Sequence, residues 1–523
     1  MAMELLLSLL LLCLCGLALH FYYFCWLKPE RIRRKLKLQG IAGPPPAFLH
    51  GNLKDVKRFL MEEKERREEG EETIRHDYAS MIFPHFEKWR KEYGPIFLYT
   101  MGNVPMLHVS QPDLVKEMNL CKSMDLGKAT YLKKTHEPLF GHGILKSNGE
   151  LWAYQRKIIA PEFFMDKVKG MVDLMVDSAI PMLETWEERI ENGGGRTEIK
   201  IDEDLKSYSA DVISRASFGS SYSKGKQIFM KLYELKKAVY KPNLLVEITG
   251  IRHIPTRRNR EVWRLNKEIR SLILQVVKDG GVNEGHCVLE NNFLRAILHN
   301  ASAAGNGYST GNAEDFVVDN CKTIYFAGHE TTAVSTTWCL LLLAMHQEWQ
   351  ARARAEVSDL CGGNPPDAPS LLKMKTLAMV IQEALRLYPP GPVVAREALQ
   401  DLKLGGIQLP KGINIFIPVP TMHQDPNFWG PDAFEFKPER FKNGVIGACR
   451  VPQMYMPFGA GPRTCLGQNF AVIELKIVLA LILQKFRFDL SMNYRHSPKL
   501  RLIVEPEFGV DLIMTKVELN LAD

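Results

Sequence analysis

The sequence predicts a mainly α-helical body with small β-sheets, carried behind one N-terminal transmembrane helix. Three observations point there. An almost unbroken apolar run, Leu5–Leu27, opens the chain. Helical patterning fills most of the rest, over about residues 150–295, Asp315–His346, Leu371–Leu387 and Phe470–Leu483. Two stretches, 94–109 and 396–419, carry aromatic and β-branched residues between Gly-Gly and Pro-Lys-Gly turns, and read as small sheets.

Taken in order, the first element is the apolar run. As a helix it would extend about 34 Å, enough to cross a bilayer core, and His20 is its only strongly polar side chain. A cleaved signal peptide would place its positive charge before a shorter apolar core. Here Glu4 precedes the run, while Lys28, Arg31, Arg33, Arg34, Lys35 and Lys37 follow it. That order predicts an uncleaved signal-anchor over residues 1–27, with the body in the cytosol. Residues 28–46 read as a basic and proline-rich linker, closed by Gly43-Pro44-Pro45-Pro46, a stiff extended run that cannot continue a helix.

Residues 47–523 read as one large domain, because no linker interrupts them and no repeat is evident. A hydrophobic content of 46% is ample for one large core. The charged residues at 62–77 suit a solvated helix or a surface insertion, and the Ala/Ser/Gly/Asn-rich stretch 299–313 suits a mobile surface loop. Asn300-Ala301-Ser302 is a glycosylation sequon that would lie silent in the cytosol. The ten cysteines include no CxxC pair, which argues for a reducing compartment rather than a disulfide framework. A net charge of +7 spread over this length suits an anionic membrane surface or an acidic protein partner, and is too diffuse for nucleic acid.

The densest chemistry lies at residues 458–467, Phe-Gly-Ala-Gly-Pro-Arg-Thr-Cys-Leu-Gly. Glycines let backbone approach a flat cofactor and aim amide hydrogens at a sulfur. The start of the following helix and Arg463 both favour negative charge, so Cys465 is expected as a thiolate. A thiolate in such a loop suits axial ligation of haem iron. A lone cysteine in a glycine-rich turn is more often structural, but here the pattern Phe458, Gly461, Arg463, Cys465, Gly467 is complete. It resembles the haem-binding signature of the cytochrome P450 family, and further motifs in the matching order extend the resemblance from the anchor to the C-terminus.

That resemblance implies the cytochrome P450 fold, haem b with a thiolate-ligated iron, and roles for specific residues. Ala327-Gly328-His329-Glu330-Thr331-Thr332 sits mid-way along a predicted helix, where an interior glycine costs about 1 kcal/mol and invites an explanation. Thr331 can bond back to a carbonyl one turn earlier and open the helix locally. In the family this is the oxygen-activation motif, with Thr331 as proton-relay hydroxyl and Glu330 as its acidic neighbour. Glu383 and Arg386 share a helix face by spacing. The family reading makes them a buried pair completed by Arg440, a structural lock on the haem pocket. Trp152 and Arg156, four apart on one face, match a propionate-binding pair. Arg396 matches a second propionate partner, and His423 is a weaker candidate for the same role.

Wording at residues 40–46, 139–145 and 327–332 resembles plant membrane members, closest to the gibberellin-oxidising group. The implied reaction is hydroxylation or epoxidation of a diterpenoid acid in hormone metabolism; triterpenoids, brassinosteroids and cytokinins are the alternative substrates. A non-catalytic haem-binding membrane protein and an electron-independent haem-thiolate isomerase are alternatives of a different class, and the intact Glu330-Thr331 pair argues against both. Substrate-facing segments by analogy are Cys121–Leu145, Phe326 and Ala327, Pro390–Val394 and Phe508-Gly509, mostly apolar, with Lys128, Lys133 and Lys134 as candidate partners for a substrate carboxylate. Without a Gly-x-Gly-x-x-Gly fingerprint the chain has no evident site for NADPH, so the resemblance implies that electrons come through NADPH–cytochrome P450 reductase in the same membrane, that of the endoplasmic reticulum. O2 is the co-substrate, and Lys157, Arg450 and Lys476 are candidates to meet an acidic reductase face.

Overall fold

The apolar N-terminus forms helix α1, Ala2–Tyr22, and a single π-turn, Tyr23–Leu27, joins it to α2, Lys28–Lys37. The result is one 35-residue helix, Met3–Lys37, the one helix among the described residues that is long and apolar enough to cross a membrane. In the computed structural model the described residues are 2–68, 74, 76–218, 222–240, 255–282 and 313–517. The basic half of segment 28–46 differs from an extended linker. Ile32 and Leu36 of α2 are buried in a core cluster of the body, and Gln39 exchanges hydrogen bonds of 2.9 and 2.7 Å with the Gln408 backbone. Only residues 41–46 lie outside any helix, strand or turn, as the prolines predict.

The strands are short: β1 Ile96–Met101, β2 Val104–Val109, β3 Leu126–Gly127, β4 Arg196–Lys200, β5 Val393–Ala398, β6 Leu402–Leu404, β7 Ile407–Leu409, β8 Asn414–Pro418, β9 Phe486–Leu490, β10 Pro498–Leu500, β11 Val504–Pro506 and β12 Asp511–Lys516. The largest sheet has the order β1-β2-β8-β5-β3, so the 94–109 stretch joins β5 and β8 of the 396–419 stretch in one sheet, while β6 and β7 between them pair only with each other. Arg396 on β5 pairs with Ile415 on antiparallel β8. The helices that carry the rest of the argument are α3 Leu53–Glu68, α4 Gly149–Ile159, α5 Val172–Asn192, α6 Asp202–Phe218, α7 Tyr222–Tyr240, α8 Arg257–Val282, α9 Ala313–Met345, α10 Lys375–Leu387 and α11 Gln468–Lys485. The expected loop 299–313 and the sequon lie almost wholly outside the described residues.

Two helices form the axis of the body. Helix α11 is apolar on every side and is buried from Ile473 to Leu483, as an all-round hydrophobic helix must be. Helix α9 runs beside it, with Leu340–Leu343 fully buried. It continues through Gly328 without a break. The glycine has a packing reason: a Cβ there would lie 2.7 Å from Ile213 of α6. The expected local opening is therefore confined to hydroxyl contacts. Thr331 Oγ1 donates to the Ala327 carbonyl at 2.6 Å, and Ser209 Oγ donates to the Gly328 carbonyl at 3.3 Å.

The predicted 371–387 helix is divided at Met374 into Ala368–Lys373 and α10. The division has a visible cause. The Glu356 carboxylate accepts hydrogen bonds from the backbone N–H groups of Lys375, Thr376 and Leu377, at 2.8, 2.6 and 2.9 Å. A carboxylate here caps three orphan donors and meets the positive end of the helix dipole. Glu356→Ala should lower stability by about 1–2 kcal/mol, at the upper end for a lost cap, as measured by denaturant unfolding. A change within a few tenths of a kcal/mol would rule the cap out as a determinant of α10.

Glu474 of α11 is fully buried. Burial pushes its carboxyl up to about 8 from the ordinary 4.5, against the opposing pull of the Ser209 hydroxyl. The folded state thus keeps the proton where the unfolded chain has lost it. Its stabilising contribution is complete below about pH 4.5 and is lost as the pH rises toward about 8. Glu474→Gln should flatten that decline in thermal stability across the interval. An unaltered slope would show that another group causes it.

Candidate functional site

The Cys465 loop is built on backbone that demands glycine. Gly459 and Gly461 both have φ of +69°, and a Cβ on Gly461 would lie 1.6 Å from the Asn119 carbonyl oxygen. Cys465 N–H donates to the Phe458 carbonyl at 2.8 Å, while Thr464 closes the turn by donating its N–H and hydroxyl to the Gly461 carbonyl, at 3.0 and 2.7 Å. Gly467 then caps α11, accepting from Ala471 N–H at 2.8 Å. Cys321, Cys339, Cys361 and Cys449 are buried, whereas Cys465 is exposed.

The electrostatics of the thiol differ from the expectation. Enclosure by protein raises its pKa, and the Gly467 N–H, Arg156 and Lys128 reduce but do not cancel that rise. The loop alone therefore holds a thiol, and a bound metal cation is what would displace the proton. Arg463 is also not the partner expected. It donates to the Ser147 carbonyl at 3.3 Å and to Asn148 Oδ1 at 3.1 Å, and its guanidinium lies 4.2 Å from the Trp152 ring centroid.

Two cations act on the sulfur, Arg156 and Lys128, and Arg396 and Arg463 crowd them in turn. Burial pushes Arg396 down to about 10, and burial with Arg396 and Arg156 does the same to Arg463. Lys128 is pushed well below its ordinary value by burial, then by Arg396, Arg463 and Lys146. Such crowding of like charge is relieved by an anion. A sulfur beside a carboxylate-hungry cluster fits haem, whose iron takes the thiolate and whose propionates take the cations. The predicted pair Trp152 and Arg156 belongs to this group, but Arg156 also clamps the loop by donating to the Thr464 carbonyl at 2.9 Å.

Lys128 was placed by sequence with substrate, and the fold puts it in the cradle instead. Asn148 pins it there, accepting from Lys128 N–H at 2.7 Å and donating to its carbonyl at 3.1 Å. No spacing signal reveals that, because residues 128 and 148 meet only through the tertiary fold. The Lys133 and Lys134 side chains lie outside the described ones.

The lock is fully assembled. Glu383 and Arg386 are buried and form a bidentate pair at 2.7 and 2.8 Å. Arg386 donates further to the carbonyls of His423, Ala433 and Glu435, at 2.9, 2.6 and 3.0 Å. Arg440 joins mainly by charge, its Nε 3.5 Å from Glu383, while its stronger bonds go to the Trp429 carbonyl and to Asp432. His423 is no propionate partner, since the protein occupies both ring nitrogens. Nδ1 meets the Arg386 carbonyl at 3.1 Å and Nε2 accepts from Met456 N–H at 2.9 Å. This requires the neutral ring, and burial with Arg386 nearby pushes its pKa down to about 3. Met456 in turn accepts from Gly459 N–H at 3.0 Å, so the lock reaches the cysteine loop through His423.

On α9 Thr331 and Glu330 take separate partners. Thr331 back-bonds to Ala327, whereas Glu330 is buried against Lys236 of α7 at 2.6 Å. Of the surface cations expected to meet a reductase, Lys157 and Arg450 are exposed. Lys476 is not available, being buried with its ammonium donating to the Leu371 carbonyl at 2.6 Å.

Known proteins are similar to this chain over nearly its whole length. The family profile described as Cytochrome P450 matches residues 73–512. Cytochrome P450 714B3 of Zea mays is 58% identical over 99% of this chain and 97% of its own length. Cytochrome P450 714B2 of Oryza sativa subsp. japonica is 56% identical with the same coverage, and Cytochrome P450 714A2 of Arabidopsis thaliana is 46% identical over 94% of each chain. With the cysteine loop, the cationic cradle and the buried lock in place, this chain belongs to the cytochrome P450 family.

Proposed function

We propose that this monooxygenase inserts one oxygen atom from O2 into a gibberellin or related diterpenoid acid, by hydroxylation or epoxidation, at the membrane of the endoplasmic reticulum with its body in the cytosol. The observation that carries the reaction class is the complete Cys465 loop together with an intact Glu330-Thr331 pair on α9. The substrate reading is supported by the wording of residues 40–46, 139–145 and 327–332, and by relatives that bear the name Cytochrome P450 714. When bound, haem supplies the activation of dioxygen.

The chain supplies the rest. Cys465 offers the sulfur, and Lys128, Arg156, Arg396 and Arg463 hold carboxylates. Phe140 and Phe326, in edge contact at 5.1 Å, belong to an apolar wall suited to a ring skeleton. The Thr331 hydroxyl, kept in place by the Ala327 carbonyl, holds a proton at Oγ1 for the oxygen site, and Glu330 is the acid that replaces it. Electrons arrive from NADPH–cytochrome P450 reductase, with Lys157 and Arg450 placed to meet an acidic face.

Membranes carrying this protein and a plant reductase, given NADPH and a panel of gibberellins, triterpenoids, brassinosteroids and cytokinins, test this reading. A gibberellin gaining the mass of one oxygen supports it. Oxygenation of another panel member overturns the substrate assignment, and NADPH consumption indifferent to every substrate would favour a non-catalytic haem protein.

A further inference from the structure

We propose that Lys146 anchors the carboxylate of the substrate, holding an acidic terpenoid by one end while its ring skeleton lies against Phe140 and Phe326. The proposal rests on the reading of the substrate as a diterpenoid acid, and it names the residue that recognises the acid. Lys146 is 7% exposed. Its ammonium donates to the Leu132 carbonyl at 3.2 Å and meets His136 Nδ1 at 3.1 Å, which leaves the third N–H bond for a ligand. Among the described residues no carboxylate pairs with this lysine. The acids of the neighbouring segments are committed elsewhere. Asp319 accepts from His142 N–H at 2.8 Å and pairs with Lys322 at 3.4 Å, Glu397 accepts from Thr130 N–H at 2.5 Å, and Glu137 stands exposed to solvent. Burial pushes the Lys146 ammonium down to about 8, with no carboxylate to hold it up. A buried cation without a counter-charge is costly, and a carboxylate brought by a ligand offsets that cost.

The position of Lys146 links it to the reaction. Its Nζ lies 5.6 Å from the Phe140 ring centroid, and Phe140 meets Phe326 of α9 edge-on. Phe326 immediately precedes Ala327, whose carbonyl holds the Thr331 hydroxyl. Lys146 is also close enough to Lys128 to push that lysine's pKa down, and Lys128 acts in turn on the Cys465 thiol. The ammonium thus neighbours both the apolar wall and the cationic cradle. The backbone that carries it is fixed from two sides. Ile144 N–H donates to Asn320 Oδ1 of α9 at 3.0 Å, and the Ser147 carbonyl accepts from Arg463 at 3.3 Å. The N–H groups of Lys146 and Ser147 both close on the Gly143 carbonyl, at 2.9 and 3.2 Å. A cation held this way loses little further freedom when it binds a carboxylate. Lys128 serves the haem carboxylates, whereas Lys146, against the aromatic rings, is left for substrate. The same contact fixes the skeleton beside α9, and so decides which carbon meets the oxygen site.

Holoenzyme in membranes, as wild type, Lys146→Met and Lys146→Arg, tests the proposal by binding alone. The probes are the panel gibberellins and triterpenoid acids, each as free acid and as methyl ester. The readout is the shift of the haem absorption band on titration. Wild type should bind the acid about tenfold or more tightly than its ester, the scale of a charge-assisted hydrogen bond. Lys146→Met should abolish that preference by weakening the acid, with the ester unchanged to within about twofold. Lys146→Arg should retain a preference for the acid. With reductase and NADPH, Lys146→Met should also spread oxidation over more positions of the skeleton. A purely structural lysine predicts equal losses for acid and ester, and that result overturns the proposal. So does a wild type that prefers no acid over its ester, or a folded Lys146→Met that has lost its haem, which would assign the ammonium to the haem carboxylates. If triterpenoid acids rather than gibberellins show the Lys146-dependent preference, the gibberellin reading fails while the anchor stands. If a gibberellin is oxygenated and its acid preference survives in Lys146→Met, the anchor fails while the gibberellin reading stands. Lys146→Gln carries the same expectations as Lys146→Met should the latter fail to fold.

Discussion

Glu383→Ala should destabilise the body by about 3–5 kcal/mol, the cost typical of breaking a buried ion pair by removing one partner. Arg386 has no route to water, since both members of the pair are completely buried. The loss extends beyond charge. Glu383 also accepts from Lys437 N–H at 2.9 Å, so one oxygen serves the arginine and a loop amide together. Arg386 would keep its three carbonyl partners but lose the carboxylate that fixes its plane, and the displacement should pass through His423 to Met456 and the cysteine loop. Glu383→Gln, which retains an acceptor, should cost less. Denaturant unfolding of both variants measures this, with the thiolate-type carbon monoxide spectrum as the local readout. A loss below about 1 kcal/mol for Glu383→Ala would place the lock among surface-like pairs.

The parts of this molecule that were legible in sequence share a property: each is a short-range pattern. The spacing of Glu383 and Arg386 puts them on one face of α10, and the glycines of 458–467 mark a turn that only glycine allows. The anchor was legible because a bilayer-length apolar run has few other uses. What was not legible depends on partners distant in sequence. The docking of α2 on the body is held where Gln39 meets Gln408, and the break at Met374 comes from Glu356. Gly328 looked like a device for opening a helix, yet Ile213 explains it by close packing. Lys476 followed a basic pattern into a surface role, while its ammonium is consumed by Leu371. The thiol was misjudged for a related reason. Arg463 stood beside it in sequence, but the desolvation by surrounding protein, and the Arg156 and Lys128 charges that oppose it, are properties of the assembled fold.

Cys465→Ser should abolish the thiolate-type carbon monoxide spectrum and all oxygenated product while leaving the fold stable to within about 1 kcal/mol, the range of changes that disturb no core contact. The asymmetry follows from where the residue stands. Its backbone holds the loop through the bond to Phe458, which serine keeps, whereas the residue is exposed rather than part of the core. A serine hydroxyl does not become an anionic ligand as readily as a thiol, which a metal deprotonates on binding. Cys449→Ser is the matching control. That cysteine is buried, donates to the Val451 carbonyl at 3.1 Å and lies outside the loop, so its variant should keep the spectrum at some cost in stability. If Cys465→Ser retained the spectrum, or Cys449→Ser lost it without unfolding, the axial ligand would have to be reassigned, and the cationic cradle would need another explanation than the carboxylates of a haem held at Cys465.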